Sequence, residues 1–209
     1  MIQYAPNPDL VSIYIHVPFC ESKCLYCGFY SEPIDQHDPA AYVQAVLAEL
    51  ETYDLSPEQV HTLYIGGGTP TALPEELLLD LIEQTTGFFT AEECTVEANP
   101  STVHTDMLRR LKEAGATRLS LGAQSFYHRE LELLGRRHSA DQIAMAVYQA
   151  RQVGINNINL DLIFAIPGSD VESFSHGLNC AIDLDVDHVS AYSLTHEKNT
   201  PLTRQIEEG

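Results

Sequence analysis

Ser12-Ile13-Tyr14-Ile15-His16-Val17-Pro18-Phe19-Cys20 opens the region whose reading decides the fold. Residues 12–17 are rich in β-branched and aromatic side chains and have the period of a strand, and Pro18-Phe19 ends it in a turn. Cys20, Cys24 and Cys27 follow at once, three thiols within eight residues in a C-x3-C-x2-C spacing. Three thiolates so close in sequence can hold one polynuclear iron cluster on a single loop. A cube of four irons usually takes four protein ligands, so one iron would stay open to a substrate or cosubstrate. The alternatives are a structural zinc ion with His16 or His37 as fourth ligand, or an unrelated group of thiols. Zinc modules favour paired C-x2-4-C knuckles, and no second knuckle is present.

Outward from that stretch the same unit recurs. Short apolar runs at 62–65, 94–98, 118–122, 157–165 and 188–194 bring the expected strands to six, and segments of helical period lie between them at 39–53, 74–88, 102–114, 140–153 and 170–184. Pro39 and Pro74 fall at first-turn positions, and Gly115 and Gly154 stand just past helix ends. Such alternation implies right-handed βαβ crossovers and a parallel α/β sheet. No low-complexity linker divides the chain, which reads as one domain over 1–209.

The unusual residues gather at the strands' carboxyl ends, where parallel α/β proteins build their sites. They are the cysteines; Gly66-Gly67-Gly68-Thr69-Pro70-Thr71; Glu97-Ala98-Asn99-Pro100; Gly122-Ala123-Gln124-Ser125-Phe126; Asp161 with Pro167-Gly168; and Tyr192-Ser193-Leu194-Thr195. A triple glycine lets backbone N–H and C=O groups approach a ligand, although a tight βα turn needs glycines too. Glu97 and Asp161 are carboxylates inside apolar strands, so each should meet a cation or a hydroxyl-bearing ligand, or else pair with Arg118 or Arg136. Gln124 suits ligand contact and hydrogen bonding to strand ends equally well.

Composition bounds the rest. With 44% hydrophobic residues among 209, the chain can bury a proper core, and no apolar run reaches the roughly 18 residues of a membrane span. Eleven basic against 30 acidic residues give a net charge of −19, which leaves no basic stripe for nucleic acid. Arg109-Arg110 reads as a solvated helix face. Cys94 and Cys180 sit in apolar patterns as expected buried hydrophobes, and the odd count of five cysteines argues against a disulfide framework, so a cytoplasmic location is expected.

Taken together, Tyr14-Ile15-His16-Val17-Pro18-Phe19-Cys20, the C-x3-C-x2-C spacing, Gly66-Gly67-Gly68-Thr69-Pro70, Val96-Glu97-Ala98-Asn99-Pro100, Ser120-Leu121-Gly122-Ala123-Gln124-Ser125-Phe126, Leu134-Gly135-Arg136-Arg137-His138 and Asn159-Leu160-Asp161-Leu162-Ile163 resemble the oxygen-independent coproporphyrinogen dehydrogenase group of radical S-adenosylmethionine (radical SAM) proteins. In that group the dehydrogenases carry a further cysteine two positions after the third cluster ligand, a place held here by Phe29. Cys27-Gly28-Phe29, Ser190-Ala191-Tyr192-Ser193-Leu194-Thr195 and Thr200-Pro201-Leu202 resemble instead the group's heme chaperones of the HemW type.

The resemblance implies a partial (β/α)6 TIM-like barrel of the radical SAM type, since a full eight-stranded barrel needs about 250 residues. It implies that Cys20, Cys24 and Cys27 bind a [4Fe-4S] cluster whose open iron is chelated by S-adenosylmethionine. Tyr14, Gly67 and Glu97 would line the cosubstrate pocket, and Tyr26, Gly68, Thr69, Gln124, Arg136 and Asp161 match positions that hold a second S-adenosylmethionine in the dehydrogenases. The implied chemistry is one-electron cleavage of the sulfonium to methionine and a 5′-deoxyadenosyl radical, with a reduced flavodoxin or ferredoxin as donor. Heme or a porphyrin is the implied further ligand, and a membrane-associated respiratory protein the implied acceptor. Two function classes follow: a heme carrier, and an enzyme acting on coproporphyrinogen III. Ala165 departs from the group by standing where glycine is common, and Gly28 by replacing the usual acidic residue. Group members continue into a further C-terminal domain, whereas this chain stops at Ile206-Glu207-Glu208-Gly209 without a closing helix pattern, so 1–209 is expected to be a truncated core.

Overall fold

Strand-period runs and helical runs alternate as a parallel α/β architecture in the computed structural model, which describes residues 10–208. In chain order the elements are β1 (Val11–Val17), β2 (Phe19–Cys20), β3 (Glu32–Pro33), α1 (Pro39–Leu50), β4 (Val60–Gly67), α2 (Glu75–Phe88), β5 (Glu93–Ala98), α3 (Thr105–Glu113), β6 (Arg118–Gln124), α4 (His128–Leu133), α5 (Ala140–Gln152), β7 (Asn157–Phe164), α6 (Val171–Asp183), β8 (His188–Ser193) and α7 (Pro201–Glu208). The six long strands pair in the order β1-β4-β5-β6-β7-β8, every pair parallel. Among the described residues β1 and β8 do not meet, so the sheet is a partial barrel.

Because successive side chains of a strand point to opposite faces, the sheet has two characters. Ile15, Val17, Leu63, Ile65, Val96, Leu119, Leu121, Ile158 and Leu160 form the core with helix residues such as Val43, Leu78, Ile82, Leu108 and Ile143. The residues between them carry polar side chains, joined across strands by hydrogen bonds. Thr62 donates to Ser12 Oγ (2.8 Å), Tyr64 to Glu97 Oε1 (2.8 Å), and Asn159 Nδ2 to both Ser120 Oγ (2.8 Å) and Asp161 Oδ1 (2.9 Å). A sheet closed into a full barrel would bury this face; in a partial one it satisfies itself laterally.

Helix ends follow the local chemistry. Asp38 accepts from the Ala40 and Ala41 N–H groups (both 3.1 Å) with Pro39 at the first position of α1, and Ser139 with Gln142 forms a capping box on α5. Gly115 (φ +115°) and Gly154 (φ +82°) take the left-handed conformation just past α3 and α5, where a side chain would be strained.

Several elements differ from the expectations. The first helix ends at Leu50, not 53, and the third begins at Thr105, not 102. Pro74 caps α2 from outside its first turn. The short β2–β3 ladder, α4 and α7 were not anticipated, and α7 corrects the expectation that the chain lacks a closing helix. Cys94 is buried, 2% exposed, but Cys180 is only half-buried, with Sγ 3.5 Å from His176 Nε2. Arg110 is not simply solvated, since it bridges α3 to α2 through Glu75 (2.7 Å) and Glu76 (2.8 Å).

Candidate functional site

The strand-to-loop transitions converge on one cavity of about 350 Å³ at the carboxyl edge of the sheet, within the usual range for a small-molecule site. Cys20, Cys24 and Cys27 line it from a loop that leaves β2 and returns at β3; all three are free and half-buried. Burial raises the Cys27 thiol's pKa, which favours its neutral form until an electropositive partner is present.

The glycine run does something other than offer its amides to a ligand. Gly67 N–H donates to Glu97 Oε2 (3.0 Å), Gly68 N–H to the Val17 carbonyl (2.8 Å) and Thr69 N–H to the Phe19 carbonyl (2.7 Å). These donors are used within the fold. The glycines are needed because the loop presses on its neighbours: a Cβ on Gly68 would stand 2.4 Å from the Phe19 carbonyl oxygen and 3.0 Å from Cys20 Sγ. The glycine loop and the cysteine loop are therefore packed backbone to backbone, and Thr69 Oγ1 lies 3.8 Å from Cys20 Sγ.

Glu97 accepts from Tyr64 Oη and Gly67 N–H, and burial raises its pKa against these bonds. Asp161 is also raised by burial, against the bonds from Asn159 and Ser190. Neither is ion-paired with the arginines considered above. Arg118 donates to Thr95 Oγ1 (3.3 Å), and Arg136 to the Gly122 carbonyl (2.6 Å) and Cys24 Sγ (3.4 Å). Arg136 thus bridges the end of β6 to the second cysteine, and its Nε is buried without a partner.

Gln124, 5% exposed, has φ +68°, a left-handed conformation that a non-glycine residue holds only under constraint and that recurs at functional sites. Tyr192 Oη donates to its Oε1 (3.0 Å). Ala165, where the group commonly has glycine, has φ +59°, which accounts physically for that preference. His138 supports this wall with Nε2 2.9 Å from the Ala123 carbonyl and Nδ1 3.2 Å from Asn99 Oδ1. Burial first, then the charge of Arg136, pushes its pKa down to about 4.

Eleven of the twelve proposed site residues line this cavity: the three cysteines, Tyr26, Gly67, Gly68, Thr69, Glu97, Gln124, Arg136 and Asp161. Tyr14 does not. It lies three residues before the end of β1, is 55% exposed, and donates to His16 Nδ1 (3.1 Å). Tyr192, Lys23 and Ser31 also line it without being among the twelve; Tyr192, the penultimate residue of β8, belongs to the strand-end segment 192–195 singled out in the sequence, whereas nothing in the sequence marks Lys23 or Ser31 beyond their place on the cysteine loop. The zinc alternative finds no support. His16 has both ring nitrogens engaged, the second by the Tyr30 carbonyl (3.0 Å), and His37 Nε2 faces Glu32 (4.0 Å). Among the described residues no three His, Cys, Asp or Glu side chains surround one metal-ion position. A polynuclear cluster binds each thiolate at a different iron, so its ligands need not converge on a point. Three free thiols on one wall, a buried Arg136 Nε and a buried Ser31 Oγ without partners fit a cluster with a polar cosubstrate beside it.

A family model described as the Radical SAM superfamily matches residues 14–179. The chain is 37% identical over 207 residues to the heme chaperone HemW of Bacillus subtilis, covering 95% of this chain and 54% of that protein. It is 38% identical over 197 residues to the heme chaperone HemW of Escherichia coli, covering 91% and 52%. Among solved structures it superposes on coproporphyrinogen III oxidase (HemN) of Escherichia coli with a TM-score of 0.82 and 29% identity, over 94% of this chain and 47% of that one. The chain spans about half the length of the curated relatives it matches.

Proposed function

As the chain belongs to the radical SAM superfamily, we propose that it is the core of a heme chaperone that holds a [4Fe-4S] cluster on Cys20, Cys24 and Cys27 and S-adenosylmethionine beside it, and that delivers heme to respiratory proteins. When bound, this pair supplies one-electron reductive cleavage of a sulfonium carbon–sulfur bond. The chain's own residues do the rest. Glu97, fixed by Tyr64 and Gly67, presents a carboxylate to an amine. Arg136 Nε, buried without a partner, would donate to a carboxylate or another acceptor of the bound molecule, while its Nη1 keeps Cys24 in an electropositive setting. Tyr26, Gln124 and Tyr192 close the wall and exclude water, and Asp161 and Thr69 offer polar contacts to a hydroxyl-bearing ligand. Tyr14 remains a candidate only for the outer margin of this site.

The observation that carries the chaperone reading is Phe29. It lines the mouth of the cavity and is 70% exposed, in the place where the resemblance puts a cysteine in the dehydrogenases. A phenyl ring offers neither thiol nor proton, but it offers a flat apolar surface to a macrocycle. The relatives named as heme chaperones support the same choice. A flavodoxin- or ferredoxin-type donor and a membrane-associated respiratory acceptor complete the proposal, in the cytoplasm. No described helix is long and apolar enough to cross a membrane.

The test is a heme titration of the anaerobically reconstituted protein beside a product assay on coproporphyrinogen III with reductant and S-adenosylmethionine. Heme should bind in a defined stoichiometry and no protoporphyrinogen IX should form. Measurable protoporphyrinogen IX would make the dehydrogenase the function.

A further inference from the structure

The cysteine loop makes one backbone hydrogen bond to itself, Cys27 N–H to the Cys24 carbonyl (3.2 Å). What holds its middle comes from far along the chain. Leu25, between Cys24 and Tyr26, donates its N–H to the Leu134 carbonyl (3.1 Å) and accepts from Leu202 N–H (2.9 Å). Both polar groups of that residue are thus bonded to outside segments, one following α4 and the other opening α7. The side chains repeat the arrangement. Leu25 and Tyr26 pack on a hydrophobic cluster of Leu134, Ile163, Ile166, Leu194 and Leu202, separate from the main core.

The fit is close on every side. Gly135 has φ +69°, and a Cβ there would stand 2.7 Å from Leu25 Cγ. Glu197, in the segment between β8 and α7, lies over Gly28 so tightly that a Cβ on Gly28 would be 2.6 Å from Glu197 Cγ. The start of α7 is itself pinned by buried Thr200, whose Oγ1 accepts from Thr203 N–H (3.3 Å).

We propose that α7 and the turn after α4 clamp the cysteine loop at Leu25, making Leu202 a positioning residue that orders the three thiols before any cofactor arrives. The cofactor part rests on the reading that these thiols hold the cluster; the clamp itself does not. The physical case is that the backbone of a polar loop fluctuates unless its peptide groups and apolar side chains are tied to rigid elements, and Leu25 is the only residue between the second and third cysteines tied by both peptide groups.

The chain carries its own internal control. Cys94, buried in β5 with its pKa pushed up to about 12 by burial, reacts only when the sheet opens. Iodoacetamide labelling of the metal-free protein, resolved by mass spectrometry, therefore separates local loosening from general loss of stability. In Leu202→Ala the Cys24 and Cys27 rates should rise about tenfold relative to the Cys94 rate. Gly135→Ala, whose added methyl would press on the Leu25 side chain from the turn after α4, should move the same ratio upward and decides the matter if Leu202→Ala fails to fold. After reconstitution, both variants should lose iron to a chelator several-fold faster than the parent. An unchanged Cys24-to-Cys94 ratio in both variants overturns the clamp. A parent protein that binds no iron, with the ratio still raised, overturns the cluster reading and leaves the clamp standing.

Discussion

Gly68 and Glu97 lie on the same wall, yet their substitutions should separate two kinds of damage. Glu97→Ala removes a carboxylate that ties down Gly67 and faces the cavity, without touching a thiol. S-adenosylmethionine affinity should fall about tenfold or more, with iron content unchanged, as isothermal titration and iron analysis would report. Gly68→Ala is a different case, because its methyl group would meet the Phe19 carbonyl and Cys20 Sγ. Iron content should fall together with affinity. Its sequence suggests an open ligand-binding turn; the structure makes it a joint between two loops. That distinction is not legible from three consecutive glycines, since it depends on which backbone lies opposite. His138 gives a second residue-level prediction. Its native pKa of about 4 lies below the ordinary 6.5, so from pH 6.5 downward the unfolded chain takes up a proton that the folded one refuses. The neutral ring's contribution is complete above pH 6.5 and fades toward pH 4. Glu97 and Asp161, raised by burial, act with the opposite sign, since the folded chain keeps their protons longer as pH rises. In denaturant titrations, the loss of stability between pH 7 and pH 5 should therefore be smaller by about 2 kcal/mol in His138→Gln than in the parent.

At the scale of elements, capping chemistry accounts for α5 being legible nearly to the residue. Ser139 accepts from Gln142 N–H (3.3 Å) and Gln142 Oε1 accepts from Ser139 N–H (2.9 Å), so both start signals are local. Ser139→Ala should cost about 1 kcal/mol, read as a lowered melting temperature with the cysteine loop unaffected. The six long strands were equally legible, because their β-branched runs are bounded by turn residues. What escaped were elements whose existence depends on tertiary contacts. β2 and β3 are two residues each and exist only as each other's partners. α4 has six residues, too few to show a period. α7 had a start signal in Thr200-Pro201, but its eight residues show only Leu202 and Thr203 buried, and Leu202 is buried in a tertiary cluster with Leu134, Ile163, Ile166 and Leu194 on which the cysteine loop also packs. Of the site, positions at strand ends were readable from the common rule for parallel sheets. Tyr14 was carried in by resemblance alone, and the geometry leaves it outside the lining.

Across the whole molecule, each long strand of the sheet lies beside the next one in sequence, and the first and last never meet among the described residues. Such a sheet is assembled from nearest neighbours, as a stack of repeats is, and can unzip from either margin without breaking its middle. Native-state hydrogen exchange should show amides of β5, β6 and β7 exchanging through the largest opening, and those of β1 and β8 through smaller ones; equal protection across all six would contradict it. The cysteine loop hangs from the end of β1 and is gripped by a residue beyond β8. If the clamp proposed above operates, the thiols become ordered only when both margins have docked. During synthesis Cys20 leaves the ribosome early and waits for Leu202, so metallation is expected to follow translation of the segment through Leu202 and not to precede it.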